Sequence, residues 1–332
     1  MTASVTTGPS REFALIGDVG GTTARFALAD LAQTPPKISN IRDYPSRAYA
    51  QSCDAIRAYL DDSKSFPFPG VAVIAVAGPI ENGAVRFTNL GWTISQAELN
   101  ELGIPHAMLL NDFEALALST LRLEAGDLHA LGNAGEGIAD GTVAIIGPGT
   151  GFGASALVRG GGHAVAMATE GGHASFAPAD ETECEILRLL ARKFPHVSIE
   201  RILSGPGLQN LHEALDEIDG IADGTHEPDE ITRRALAGEA TFLRTLQRFC
   251  AILGSVAGDV ALSYGARGGV FIAGGIAPAI LPFLEKSEFR SRFEAKGRFG
   301  AYLRAIPTRV ILHDHAAFLG AAERAHQFAT ET

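Results

Sequence analysis

Cysteine is scarce in this chain: three residues, Cys53, Cys184 and Cys250, scattered through 332 with no CxxC spacing. That excludes a disulfide framework and a cysteine-rich zinc site, and points to a reducing, cytoplasmic setting. Positive charge is short as well. Lysine plus arginine number 27 against 38 aspartates and glutamates, a net charge of −11. Nucleic acid and anionic membranes are poor partners for such a surface. A small anion is not excluded, because backbone N–H groups bind phosphate without net positive charge. Apolar runs are interrupted too often for a membrane span. The opening MTASVTTGPSREF has no basic stretch followed by an apolar one, so it reads as a frayed tail rather than a signal peptide.

What is present is a globular composition, 46% hydrophobic and 20% charged, long enough for two domains. Four apolar segments end in glycine: EFALIGDVGGTTARFALAD (12–30), VAVIAVAGPIENG (71–83), TVAIIGPGTGFGASALVRGGGHAV (142–165) and GGVFIAGGIAP (268–278). Short apolar runs bounded by glycine fit strands buried on both faces. The first and third share a strand, glycine turn, strand plan; the second and fourth share a run into glycine. Gly17 and Gly147 lie 130 positions apart, Gly78 and Gly274 lie 196 apart, so an internal duplication with about 66 extra residues in its second half is expected from the difference. Helical spacing marks 52–62, 113–125 and 241–265, the last stopping at Gly265, and Asp180 with Glu183 forms a capping box before CEILRLLARKF. The small residues Gly254, Ala257, Gly258 and Ala261 suit close core packing. Strand pairs alternating with helices predict an α/β protein with mixed sheets in two lobes and a ligand site in the cleft between them.

The stretch GPGTGFGAS (147–155) admits three readings. A P-loop needs a lysine after its glycines, and none is present. Gly149, Gly151 and Ala154 satisfy the dinucleotide pattern G-x-G-x-x-A, with Glu170 spaced to hold a ribose. That pattern must open a helix, whereas ASALVRGGGHAV alternates like a hairpin. The third reading is a phosphate-binding β-hairpin, in which glycine permits positive φ and close backbone approach while Thr hydroxyls add donors. DVGGTT (18–23) is a second such turn, and the pair suits a clamp on a polyphosphate. Asp18 beside it makes sense if Mg²⁺ or its bound water lies between acid and phosphate.

Polar residues gather elsewhere. LLNDFEA (109–115) puts Asn111 and Asp112 at a strand's end before a helix, where a carboxylate faces a ligand or caps the helix. TEGGHASF (169–176) holds Glu170 and His173 around two glycines; with no neighbouring Cys or second His, hydrogen bonding is favoured over zinc. HVSIERILSGPG (196–207) offers Glu200, for which an ion pair with Arg201 is the alternative. TNLGW (88–92) holds Asn89 and the single tryptophan in what reads as a packed turn. HDHAA (313–317) resembles a metal pair but lacks a third ligand and is taken as structural.

DVGGTTARFALAD, VAGPI, NDFEA, GPGTGFG, EGGH, HVSIERILSGPG and GGVFIAGGI occur in the order seen in bacterial glucokinases, and from Phe13 to Ala322 the chain resembles that family. The resemblance implies the hexokinase branch of the actin-like ATPase superfamily, a ribonuclease H-like α/β fold. Each lobe is then a mixed sheet flanked by helices: a small lobe of 1–122 plus 314–332 and a large lobe of 123–313. It implies ATP-dependent phosphorylation of glucose at its 6-hydroxyl, with Asp112 as the base. Asn111, Asp112, Glu170, His173 and Glu200 resemble the sugar-binding set. Asp18, Gly20, Gly21 and Thr22 resemble the first phosphate motif, Gly149, Thr150 and Gly151 the second, and Gly274 and Gly275 the adenosine motif. Mg²⁺ is then held mainly through the nucleotide phosphates, and the assembly is a cytoplasmic homodimer. The zinc-binding sister group carries a cysteine cluster after E-x-G-H, and its repressors carry a DNA-binding domain ahead of the first motif. Here Cys184 stands alone and only a short tail precedes Phe13. Another hexose or phosphoryl donor, a non-catalytic sugar sensor and a nicotinamide-dependent dehydrogenase are the competing readings.

Overall fold

The computed structural model describes residues 9–87, 91–132, 135–221 and 224–331. Residues up to Glu124 together with those from His313 form one compact unit, and Ala125–Leu312 form a second.

In the first unit β1 (Ser10–Val19), β2 (Thr23–Asp30) and β3 (Lys37–Pro45) are antiparallel neighbours, followed by α1 (Ser52–Asp62) and β4 (Pro69–Val76). β5 (Ala84–Phe87) and β6 (Trp92–Ser95) form a separate ribbon, and α2 (Gln96–Glu101) leads into β7 (His106–Asn111) and α3 (Asp112–Ser119). The sheet order is β3-β2-β1-β4-β7, with β4 parallel to both neighbours. Every residue of β4 is buried, as a strand covered on both faces requires. Trp92, the first residue of β6, is buried and donates its indole N–H to the Tyr49 carbonyl at 3.2 Å; the rest of the expected turn at 88–90 lies outside the described residues. α3 ends well before residue 125, where helical spacing had extended it. The Ser119 and Thr120 hydroxyls donate back to the Leu116 and Ala117 carbonyls, both at 2.7 Å, and compete with continued helix.

In the second unit β8 (Leu128–Leu131), β9 (Val143–Pro148), β10 (Phe152–Gly160) and β11 (His163–Thr169) precede four helices, α4 (Glu181–Leu190), α5 (Gly205–Asp219), α6 (Pro228–Leu236) and α7 (Ala240–Tyr264). Then come β12 (Gly269–Ile272), the short α8 (Ile276–Ala279), α9 (Leu281–Leu284), α10 (Phe289–Glu294) and α11 (Gly300–Arg304), and β13 (Thr308–Ile311). The sheet order is β11-β10-β9-β12-β13-β8. Three antiparallel strands followed by two parallel ones repeat the plan of the first sheet, and β8 is added antiparallel at the edge. Asp180 caps α4 by accepting from the Glu183 N–H, but the Glu183 carboxylate reaches the Ala179 N–H rather than closing the box on Asp180. α7 stops at Gly265, which is left-handed with φ 61°. Its Gly254 and Gly258 lie beneath the Phe289 and Phe293 carbonyls of α10, where any Cβ would collide, so the small-residue stripe is core packing.

The chain returns to the first unit through α12 (Ala316–Glu331), which lies against α3 so closely that Gly320 sits under the Ala115 carbonyl. The Glu323 carboxylate, nearly buried, accepts from Arg122 Nε at 2.6 Å and ties the returning helix to the segment after α3. Among the described residues no helix is long and apolar enough to cross a membrane.

Candidate active site

In the first unit, the β1–β2 hairpin turns over Gly20, whose N–H donates to the Thr23 carbonyl at 3.1 Å. Register places Asp18 opposite Arg25, with a 3.6 Å ion pair between them and a second from Arg25 to Asp43. Burial pushes the Asp18 carboxyl above its usual range, partly offset by Arg25 and by His315. Its side chain still keeps 32% of its surface. Gly21 and Thr22 are exposed, and the Thr22 carbonyl accepts from the Ser46 N–H at 3.0 Å.

Asn111 ends β7 and caps α3: its Oδ1 accepts from the Phe113 N–H at 2.9 Å, while Glu114 accepts from the Asn111 N–H at 3.0 Å. Asp112 is therefore the first residue of the helix rather than its cap, with Oδ1 also accepting from the Phe113 N–H. The cap employs only the oxygen of the Asn111 amide, and both side chains are half-buried at the strand's C-terminal end.

The second unit holds the other residues. Gly149 N–H donates to the Gly151 carbonyl at 2.8 Å, and β10 then runs as a strand. The dinucleotide pattern thus has no helix to rest a pyrophosphate on. Glu200 makes no ion pair with Arg201, whose guanidinium instead stacks on Phe194 at 4.2 Å. The Glu200 carboxylate accepts from the Phe152 N–H at 3.0 Å, and its own N–H donates to the Gly172 carbonyl at 3.0 Å. Glu170 and His173 bracket a short 3₁₀ turn, Gly171–His173, and face one another at 3.8 Å with largely exposed side chains. Gly172 lies against the Phe152 carbonyl, where no Cβ fits, and this brings the turn onto the start of β10. The structure so joins Glu170, His173, Glu200 and the 149–152 hairpin in one constellation.

Gly274 has φ 80° and packs on Pro148, which places Gly274 and Gly275 beside the same hairpin. Of the glycines in the expected phosphate and adenosine motifs, only Gly274 has positive φ: Gly20, Gly21, Gly149, Gly151 and Gly275 have none. A Cβ on Gly21, Gly149 or Gly275 would also meet nothing within 4 Å. Neither strain nor protein packing requires glycine at these three positions, and space for a ligand against bare backbone is what glycine leaves there.

Sequence reasoning missed Thr169 and Tyr264, whose hydroxyls lie 3.2 Å apart behind the Gly171 turn, with Thr169 anchored on the Ala154 carbonyl. No motif marks Tyr264; only its place ahead of the helix-ending Gly265 did. Arg25 was recoverable, since a tight hairpin after Asp18 fixes its register. Asn89 lies outside the described residues. His313 and His315 bond to each other through the His315 N–H, and no group of three His, Cys, Asp or Glu among the described residues can hold a metal. That donor set suits Mg²⁺ only if phosphate oxygens and water supply most of its ligands, with Asp18 as the nearby carboxylate.

Two sheets built to one plan, each carrying a glycine hairpin, are the architecture of the actin-like ATPase superfamily in its sugar-kinase branch. The sequence profile of the glucokinase family matches residues 15–328. A glucokinase of Caulobacter sp. (strain K31) is 51% identical over 312 residues, covering 93% of each chain. The crystal structure of a glucokinase from an Antarctic psychrotroph superposes with a TM-score of 0.87 at 37% identity, covering 95% of this chain and 99% of that one. A ROK family glucokinase from Streptomyces griseus, solved with glucose and AMPPNP, shares the fold at 20% identity and a TM-score of 0.63, over 95% of this chain and 99% of its own. The chain belongs to the glucokinase family.

Proposed function

We propose that this enzyme transfers the γ-phosphoryl group of ATP to the 6-hydroxyl of glucose, giving glucose 6-phosphate and ADP. The observation that carries the reading is the pairing of glycine hairpins with open space over bare backbone and polar clusters suited to sugar hydroxyls. An alkyl hydroxyl is a weak acid, so its attack on phosphorus needs a positioned acceptor. Asp112 takes that proton, its place fixed by the first turn of α3. Asn111, Glu170, His173 and Glu200 bind the remaining hydroxyls. A sugar lacking one of these leaves a polar group unpaired, which is how such a set selects glucose.

The phosphates approach the bare backbone of Gly20, Gly21, Gly149 and Gly151, with the N–H groups of Gly21, Thr22, Thr150 and Gly151 and the Thr22 and Thr150 hydroxyls as donors, while the Gly20 and Gly149 N–H groups close their own turns; Gly274 and Gly275 accommodate the adenosine. Asp18 would hold Mg²⁺ chiefly through its water, and that ion, when bound, offsets charge on the phosphates. The assembly implied by the resemblance is a homodimer working in the cytoplasm, where sedimentation of the purified chain at about twice its monomer mass is expected.

The test is a coupled assay of purified protein with Mg²⁺, ATP and a panel of hexoses. Glucose 6-phosphate formed with glucose, and little product with sugars lacking one hydroxyl, is the expected outcome. Binding of glucose without ATP-dependent product would replace the kinase by a sugar sensor; tight nicotinamide binding without ATP binding would replace it by a dehydrogenase.

A further inference from the structure

The segment 200–205 grips both ends of the second phosphate hairpin. At one end the Gly205 N–H donates to the Gly149 carbonyl at 2.8 Å. At the other the Glu200 carboxylate accepts from the Phe152 N–H at 3.0 Å, and this is the one side-chain bond of the pair. Glu200 is itself pinned by its backbone. Its N–H is held by the Gly172 carbonyl of the sugar-side turn, and its carbonyl by the Ser204 hydroxyl at 2.7 Å, which also caps α5 through the Gly207 N–H at 2.9 Å. A Cβ on Gly151 would lie 2.5 Å from Glu200 Oε2, so glycine at 151 is what allows the carboxylate to seat on the hairpin. Gly149, two residues earlier in the same turn, has nothing within 4 Å of its Cβ position. The two glycines therefore serve different ends: one faces open space, the other faces Glu200.

We infer that Glu200 couples the sugar to the phosphate hairpin, so that glucose and nucleotide tighten each other's binding through this carboxylate. The inference rests on the reading that Glu200 receives a glucose hydroxyl. The bond from a charged carboxylate to an N–H is stronger than a neutral one and depends on the orientation of the carboxylate. A hydroxyl donated to Glu200 fixes that orientation and so orders the Phe152 end of the hairpin before nucleotide arrives. Linkage then requires nucleotide, by ordering the same N–H, to fix Glu200 for the sugar by an equal factor.

The test compares Gly151→Ala with Gly149→Ala. In Gly151→Ala the new methyl meets only the flexible end of Glu200, so the carboxylate gives way while the backbone stays. Glucose Kd is measured calorimetrically for the full chain, alone and with Mg²⁺ and AMPPNP. The native chain is expected to bind glucose at least about fivefold more tightly with the nucleotide analogue present, the lower end of ordinary coupling. Gly151→Ala is expected to weaken glucose binding without nucleotide by about tenfold and to bring the coupling ratio toward one. Gly149→Ala, though weaker for nucleotide, is expected to keep the native glucose Kd when nucleotide is absent. Glu200→Gln, which keeps shape and an acceptor without charge, is expected to lower the coupling ratio even if Gly151→Ala fails to fold. An uncoupled native chain, a native-like Gly151→Ala, equal losses of glucose affinity in both glycine variants, or native coupling in Glu200→Gln would overturn the inference. A native chain that binds no glucose at all overturns the proposed function itself, and is told apart by that first titration.

Discussion

Asp18, proposed to act beside the phosphates, is held in the fold at a cost to stability. Burial raises its carboxyl above the ordinary aspartate value of about 3.9, and Arg25 and His315 offset only part of that. Below the ordinary value the group is neutral in both folded and unfolded chain and carries no penalty. Above the raised value it is ionised in both, and the folded state bears the cost of holding the charge. Asp18→Asn is therefore expected to raise the melting temperature at neutral pH, with the gain fading as pH falls toward the carboxylate range. The same variant is expected to lower kcat by about tenfold or more, as loss of one group acting on transition-state charge does. Scanning calorimetry at several pH values beside steady-state kinetics separates the two effects. This site was half legible in the sequence: DVGGTT announced the hairpin, and the hairpin's register put Arg25 opposite Asp18. The positive φ inferred for its glycines was absent, because what those positions need is space rather than an unusual backbone.

Helix α3 is the element on which the first unit's site depends, and its cap is Asn111. Asn111→Ala removes the cap and is expected to cost about 1 kcal/mol of stability while raising the glucose KM. Asn111→Asp keeps a capping oxygen and is expected to retain native stability, yet still bind glucose less well for want of an amide donor. Denaturant melts paired with glucose titration distinguish cap from contact. On α7, Gly254→Ala thrusts a methyl into the Phe289 carbonyl and is expected to cost about 1–3 kcal/mol, read as a lower denaturant midpoint. Periodicity placed α1 and α7 well, since their apolar faces are local and Gly265 marks the end of α7. It overran α3, because the Ser119 and Thr120 hydroxyls end that helix through bonds that polarity alone does not reveal. It also missed the link from Glu200 to Phe152, 48 residues apart, which only the folding of the Gly171–His173 turn onto β10 creates.

At the scale of the whole molecule, the repeated strand plan explains why glycine segments recur in the order they do. The positive φ of both Gly78 and Gly274 is part of that repeat. Four helices stand between β11 and β12 where the first unit has α1 alone, in keeping with the extra residues expected in the second half. Each unit also joins distant segments through a buried carboxylate. In the second, Arg248 and Arg292 converge on the fully buried Glu183 at 3.0 and 2.7 Å. In the first, Glu323 receives Arg122, and Glu323→Ala leaves that guanidinium without its carboxylate. A loss of about 3 kcal/mol is expected, visible as early melting of the chain. Such long-range pairs were invisible in the sequence, since nothing local links residue 122 to residue 323. The proposed chemistry itself turns on one carboxylate, Asp112, at the start of α3. The most direct test measures kcat and glucose Kd together for Asp112→Ala. A fall in kcat of about a hundredfold or more, with glucose binding still measurable, is the expected result for a lost base; turnover within a few-fold of the native chain would contradict it.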